Sequence, residues 1–518
     1  MPALSYLVWL PLVAGLLAAV LGAGRRGDAR RVPGAVALIG ALAALGLAIG
    51  YIADFQTGTH GLQHVTDRMW ISALGIHYKL GLDGLNLFLV ALTTLLFAGT
   101  VAAANLRDWE RPRLFYFQIG LAESAVLGAF CAQDLALFVA FFDLMLIPFY
   151  FLVGSWGSPP DLRVPATIKL VIYTLVGSLL MLAAAIATGV LAAQQGGGHI
   201  SFALSDLQAL PLPRGSQEWI FLFFAAAFLV KMPAFPLHGW MPDGYRAMPI
   251  EVLMSFSGVL SKVGAYGFLR IVLPLFPQGA AHFQMLMLLI ALLSILYGSV
   301  MAFTQTQARL VAGYSSVAQL GFITLGIFAL NPQGAQGALL QMVNHGLVVA
   351  PMFFIIGLLA ARAGGSEDLR DMGGLAFRAP VLAAIFLIVA FATLAMPGSS
   401  NFVGEFLILL GVFKAKLAIS IIAFTGVVMA AVYALRLFIR AMHNRVGPRV
   451  ASRDIGWLDG AILVPFVLVI VGIALYPQLA LRRSEPATRA AVAAVAAQGA
   501  SAAASASASA SSTPVGTP

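Results

Sequence analysis

The chain has 518 residues, 60% of them hydrophobic and only 10% Asp, Glu, Lys or Arg. Soluble domains carry about 25% charge, so this composition and a mean hydropathy of +0.92 exclude a soluble enzyme, a secreted disulfide scaffold and a nucleic-acid reader. The net charge of +9 does not restore nucleic-acid binding, because the basic residues fall in short loops between apolar runs, as the positive-inside rule expects. Cys131 is the single cysteine, so no internal disulfide or thiolate cluster can form.

Apolar runs of about 20 residues recur along the chain, each enough to cross a bilayer core of roughly 30 Å. They predict fourteen spans, at about 3–23, 33–53, 81–104, 114–131, 134–153, 166–193, 218–240, 248–273, 282–304, 308–330, 335–361, 380–414, 417–440 and 457–479. In lipid the backbone must satisfy its own hydrogen bonds, so these spans read as helices and the chain as an all-α polytopic membrane protein. The first span lacks a basic segment before it and is followed by Arg25, Arg26, Arg30 and Arg31, so it reads as a retained helix rather than a leader.

Loops 24–32, 105–113, 154–165, 241–247, 305–309, 362–379 and 440–456 hold about seventeen Lys and Arg, against about eight in the alternate loops and the C-terminal flank. The richer set is expected to face the cytoplasm, with both termini outside the bacterial inner (plasma) membrane. After about Ala490 the chain is Ala/Ser low complexity, and disorder is expected over 491–518.

Two spans are interrupted. The seventh carries Lys231-Met-Pro233-Ala-Phe-Pro236 and the twelfth Ala395-Met-Pro397-Gly-Ser-Ser-Asn401. Proline removes a backbone donor and clashes with the preceding turn, so each helix should break near its middle. Paired broken helices predict two inverted five-helix repeats with sites at the breaks. The expected organisation is 1–113 (helices 1–3), 114–275 (first repeat), 276–445 (second repeat), 446–490 (last helix and flank) and 491–518 (tail).

Ionisable residues stand within the spans: Glu123, Asp143, Lys169, Lys231, Lys262 and Glu405. Each costs about 2.5–3.5 kcal/mol at a helix centre on insertion scales, so six are either function or paired glue between helices. A Lys–carboxylate pair that is charged together and neutral apart is a proton switch. His345 lies mid-span and either relays protons or is a satisfied core histidine. His238 and Glu251 lie near span ends, where loop-fixing roles are expected. No His/Cys cluster suits haem, iron–sulfur or zinc, and no nucleotide-binding loop appears, so no metal site or redox centre is expected here.

At the motifs FLVKMPAFPLHGWMPDGYRAMP, SGVLSKVGAYGFLR, GYSSVAQLGFITLGIF, QMVNHGL and MPGSSNFVGEFLILLG the chain resembles the antiporter-like membrane subunits of respiratory complex I, the bacterial NADH-quinone oxidoreductase. The likeness runs from about Gly81 to Gln478. Asp143-Leu-Met-Leu-Ile-Pro-Phe-Tyr, Glu405 where L and N types carry Lys, and the absence of a long lateral helix set it apart from those two types.

The resemblance implies a translocase role in the enzyme complex. Lys231 matches the broken-helix lysine, Lys262 the central lysine and Glu405 the exit-side glutamate. Asp143 stands where a Glu usually pairs with the broken-helix lysine. Lys169 and His345 match the helix-six lysine and helix-eleven histidine, and Glu123 a helix-four glutamate. NADH, FMN, iron–sulfur clusters and quinone are implied on partner subunits, among them the L and N types. Asp143 is one methylene short of the usual Glu, and Gln319 stands where many members have His. The alternatives are a subunit of a multi-chain sodium/proton antiporter or membrane-bound hydrogenase, and a stand-alone solute carrier.

Overall fold

The computed structural model describes residues 1–21, 31–58 and 61–511, with side chains described as far as residue 497. The expected positions of Arg25, Arg26 and Arg30, and of the last seven tail residues, lie outside the described residues. Among the described residues the regular structure is helical but for one hairpin. The chain begins with α1 (Leu4–Leu21) and α2 (Val32–Asp54), followed by the strands β1 (Gln63–Ile71) and β2 (Ile76–Leu82). Then come α3 (Leu87–Ala104), α4 (Pro112–Cys131), α5 (Leu135–Leu144), α6 (Leu146–Trp156), α7 (Pro160–Gln195), α8 (Leu204–Ala209) and α9 (Arg214–Lys231). A continuous rod follows α10 (Met241–Ala247). It is built from α11 (Ile250–Ser255), a π-helical turn Phe256–Leu260, α12 (Ser261–Gly267), a second π turn Phe268–Val272 and α13 (Leu273–Leu275). The rest is α14 (Pro277–His282), α15 (Gln284–Thr304), α16 (Ala308–Ile327), α17 (Pro332–Arg362), α18 (Pro380–Thr393), α19 (Ser400–Ala415), α20 (Leu417–Met442), α21 (Trp457–Leu475) and α22 (Gln478–Ser511).

Among the described residues, twelve helical segments are long and apolar enough to cross a membrane. The two expected spans missing from that set are the seventh and the twelfth. In the seventh, α9 ends at Lys231 and helix resumes only at Met241; in the twelfth, α18 ends at Thr393 and α19 starts at Ser400. Proline thus acts where its chemistry requires.

The loops sort onto two ends. At one end Trp156 donates to the Glu110 carbonyl at 2.5 Å. There too the Ser158 amide bonds Ala247, the Leu369 amide bonds Thr306 and the Ala451 amide bonds Arg362. At the other end the Leu135 amide bonds Phe202, the Gln133 amide bonds Lys79 and Gln336 donates to Leu481. The core lies in the rod 250–275 and in α16, which are buried on all sides. The helices α1, α2, α7, α20 and α21 surround it with apolar faces turned outward.

Three features differ from expectation. The third span does not begin at 81: β1 and β2 form an antiparallel hairpin, with Thr66 opposite Leu80 and Met69 opposite His77. Gly75 closes it at φ +59°, and a Cβ there would meet the Ile200 carbonyl oxygen at 1.9 Å, so only glycine fits. The fifth span is split into α5 and α6 at Met145. Pro148 explains this, since its ring opposes the carbonyl four residues back, at Leu144. Lastly, the segment expected to be disordered from 491 continues α22 as far as Ser511. Alanine is the best helix former, and Ala480, Ser484, Thr488, Ala491 and Val495 recur at helical spacing as a buried face. That helix packs on α13, α14 and α17.

Candidate functional site

Lys231 is the last residue of α9, so its cation stands at a helix C-terminus, where the backbone dipole favours positive charge. The groups freed by Pro233 are taken up again. The Ala234 amide reaches back to the Leu229 carbonyl, Trp240 Nε1 donates to the Val230 carbonyl at 3.0 Å, and the Phe235 amide donates to Ser294 Oγ at 3.0 Å. The lysine is buried, with Nζ 4.6 Å from the centroid of the Phe142 ring. Asp143, the next residue, is its electrostatic neighbour but not in ion-pair contact, and its carboxylate faces Ser178 of α7. Asp143 Oδ1 has no partner. The shorter acid therefore leaves a gap where the resemblance implies a pair. A cavity of about 10 Å³, room for about one water, is lined by Lys231, Pro233, Tyr245 and Ser261 among others.

Ser261, which lines that cavity, belongs to the same rod as Lys262. Lys262 is fully buried, and its Nζ donates to the Ser257 carbonyl at 2.8 Å, within the π turn. Such turns open the backbone ladder and recur at functional sites. His345 of α17 is its electrostatic neighbour. The crossing that brings them together is made by glycines. A Cβ on Gly346 would lie 2.7 Å from the Gly258 carbonyl oxygen, so α17 packs against the π turn backbone to backbone.

A second glycine seam joins α17 to α19. Cβ atoms on Gly337 and Gly411 would lie 2.6 Å and 2.5 Å from the backbone nitrogens of Ile408 and Gly334. The seam sets Glu405 beside Gln341. Gln319 Nε2 donates to Glu405 Oε1 at 2.8 Å, and Gln341 Nε2 donates to Gln319 Oε1 at 2.7 Å and to Glu405 Oε1 at 3.3 Å. Glu405 Oε2 has no partner, and the buried Tyr433 hydroxyl faces Gln319 and Glu405. Between Lys262 and Glu405 lies the second break, near Pro397. Asn344 Nδ2 donates to the Ser400 carbonyl at 2.6 Å. Asn344 Oδ1, His345 Nδ1, the hydroxyls of Ser399 and Ser400, and both amide atoms of Asn401 are buried and unpartnered. Buried polar groups of this kind are satisfied by water.

The structure thus sets Asp143 beside Lys231 and His345 beside Lys262, and holds Glu405 against Gln319 and Gln341. Lys169 stands apart from these groups. Although expected near mid-span, it lies in the third turn of α7 and pairs with Asp243 at 2.8 Å, each side chain 44% exposed. Glu123 is buried on α4 with Oε1 unpartnered and no charged group in ion-pair contact among the described residues. His238 packs among Phe235, Tyr297 and Tyr314, as loop-fixing residues do. Gln341, Tyr433 and Asn401 were not singled out as site residues from sequence, since a neutral polar side chain in an apolar helix gives little signal.

A polytopic helical bundle with two broken helices and a buried set of lysines, histidine and carboxylates defines a class of ion-translocating membrane subunit. The chain belongs to the family described as NADH:quinone oxidoreductase/Mrp antiporter, TM, which matches residues 132–430. It is 36% identical to NADH-quinone oxidoreductase subunit M of Rhodobacter capsulatus over 487 residues, covering 92% of this chain and 93% of that protein. A chain of Thermus thermophilus respiratory complex I with bound NADH superposes with a TM-score of 0.85 at 31% identity, covering 95% of this chain and 99% of that one. A chain of the Mrp complex from Dietzia sp. DQ12-45-1b shares the fold, with a TM-score of 0.80 at 20% identity over 96% of this chain and 100% of that one.

Proposed function

We propose that the chain is the M-type membrane subunit of a bacterial proton-pumping NADH-quinone oxidoreductase. In this reading it carries protons across the membrane while quinone is reduced elsewhere in the complex. The observation that carries it is the buried set Lys231, Lys262, His345 and Glu405, accompanied by polar atoms that lack protein partners. Full-length likeness to subunit M proteins supports the assignment to that type.

Redox energy reaches the subunit from partners that hold NADH, FMN, iron–sulfur clusters and quinone. It shifts the balance between Asp143 and Lys231. A proton passes through Lys262 and leaves through Glu405 on the side opposite the basic loops. Fourteen crossings in two inverted five-helix repeats, basic loops in the cytoplasm and flanking L- and N-type subunits complete the reading. The wide exposed faces of α7 and α20 are available to lipid and to those neighbours.

Lys231→Ala tests it. The variant should assemble and lose proton pumping and coupled quinone reduction by more than about tenfold, since a placed acid or base contributes about 10²–10⁴-fold. The measurement is NADH-driven acidification of inverted membrane vesicles, normalised to assembled complex. Full pumping by an assembled Lys231→Ala complex refutes the reading.

A further inference from the structure

Glu251 is a second buried carboxylate, and the line above does not use it. It occupies the first turn of α11, at the basic-loop end of the rod that carries Lys262 eleven residues further on, and is 3% exposed. Its Oε1 accepts from Arg107 Nε at 2.7 Å, while Oε2 is buried and unpartnered.

Arg107 stands between this acid and water. Its side chain is 53% exposed and lines two neighbouring cavities, of about 800 Å³ and about 510 Å³. Glu251 lines neither. The larger cavity is walled by Trp109, Trp156, Arg246, Arg309 and Glu367, so its mouth is polar and wet. The other groups facing Glu251 are engaged elsewhere. Arg309 donates to the carbonyls of Tyr245, Arg246 and Met248 and to Glu367. Tyr116 donates to Asn105. Among the described residues, only Arg107 balances the Glu251 charge by contact. A purely structural tie would satisfy both oxygens or do without the acid, because a buried oxygen left without a partner is destabilising.

We infer that Glu251 is the inlet relay of the proton line, with Arg107 as its gate; this rests on the translocation reading given above. The Arg107 guanidinium swings into the cavity and admits water to Oε2. Glu251 takes a proton there and becomes neutral, so the ion pair stays open while the proton is held. The proton moves inward through water admitted past the gate, towards the small cavity that Tyr245 shares with Lys231 and Ser261. The carboxylate re-forms and recaptures Arg107, so one proton enters and one leaves the site.

The test compares Glu251→Gln with Glu251→Asp in the whole complex, using vesicle pumping per assembled complex. The relay requires the acid, so Gln should pump roughly tenfold less or worse and Asp should stay within about threefold of the native rate. A structural tie predicts the reverse order, because Gln keeps length and still accepts from Arg107 whereas Asp does not reach. If the Gln variant does not assemble, Arg107→Gln with Glu251→Gln keeps the hydrogen bond without either charge, and it should assemble without pumping. Native pumping by either assembled Gln variant overturns the inlet. Lys231→Ala in the same preparation separates the two proposals. Loss there beside a fully active Glu251→Gln removes only the inlet, while full activity there removes both.

Discussion

The two proline breaks look alike in sequence and differ in what surrounds them. At Pro233 the freed backbone groups find protein partners in Trp240 and Ser294, and the cavity beside Lys231 has room for about one water. At Pro397 the polar atoms of Ser399, Ser400, Asn401 and Asn344 stay buried without protein partners. The first break is dry and holds a cation at a helix C-terminus. The second is polar and short of partners, and it lies beside an acid already bonded to two glutamines. On the function proposed above, a break whose groups are tied up would hold a charge and one that takes up water would release it, so the difference would separate a switch from an exit.

Glu405→Gln carries the largest expected effect on this comparison. It keeps the length and the acceptor for Gln319 while removing the charge. Pumping per assembled complex should fall by more than about tenfold. An assembled Glu405→Gln complex with native pumping would show that the second site holds helices together and passes nothing.

Asp143 comes next, because its gap to Lys231 is the defining feature of the dry site. Asp143→Asn removes the charge at nearly constant shape and should lower pumping roughly tenfold. Asp143→Glu adds a methylene, about 1.3 Å of reach, and should keep most activity by closing the gap. If Asn works as well as Asp in vesicle pumping, Asp143 belongs to packing and the switch lies elsewhere.

How much of this was legible in the sequence depends on what each residue's signal is. Lys231 announces itself, since a lysine in an apolar run is costly, and Pro233 and Pro397 mark breaks because polar or further proline residues follow them closely. The split at Met145 is legible in Pro148, whose ring opposes the Leu144 carbonyl. The hairpin is not legible because β1, Gln63-His-Val-Thr-Asp-Arg-Met-Trp-Ile71, lacks polar–apolar alternation and reads as a loop between spans. Lys169 was placed too deep because the seventh helix starts at Pro160, six residues before the apolar run, which leaves the lysine within reach of Asp243. The Gln319–Glu405–Gln341 cluster depends on a glycine seam between α17 and α19. No single helix reports which of its neighbours its glycines will meet.

The smallest effects sharpen the contrast between breaks most directly, through Trp240→Phe and Asn401→Leu. Trp240 donates to a carbonyl that proline has left free, so Phe should orphan that carbonyl and cost about 1 kcal/mol of stability. That loss should appear as earlier heat inactivation of the complex, with pumping at low temperature unchanged. Asn401 has no protein hydrogen bond to lose, and Leu is close to it in size. Replacing a polar group that lacks partners by an apolar one is nearly neutral or stabilising. If Asn401 serves only packing, the Leu variant should equal or exceed the native complex in heat resistance and pump normally. If it holds water between His345 and Glu405, pumping should fall several-fold, about threefold or more, while heat resistance is kept. Vesicle pumping and residual activity after heating, measured on both variants, give a crossed pattern in which each break responds in a different observable. Parallel losses at both breaks would mean that the two prolines do the same structural work and that the hydrated exit does not exist.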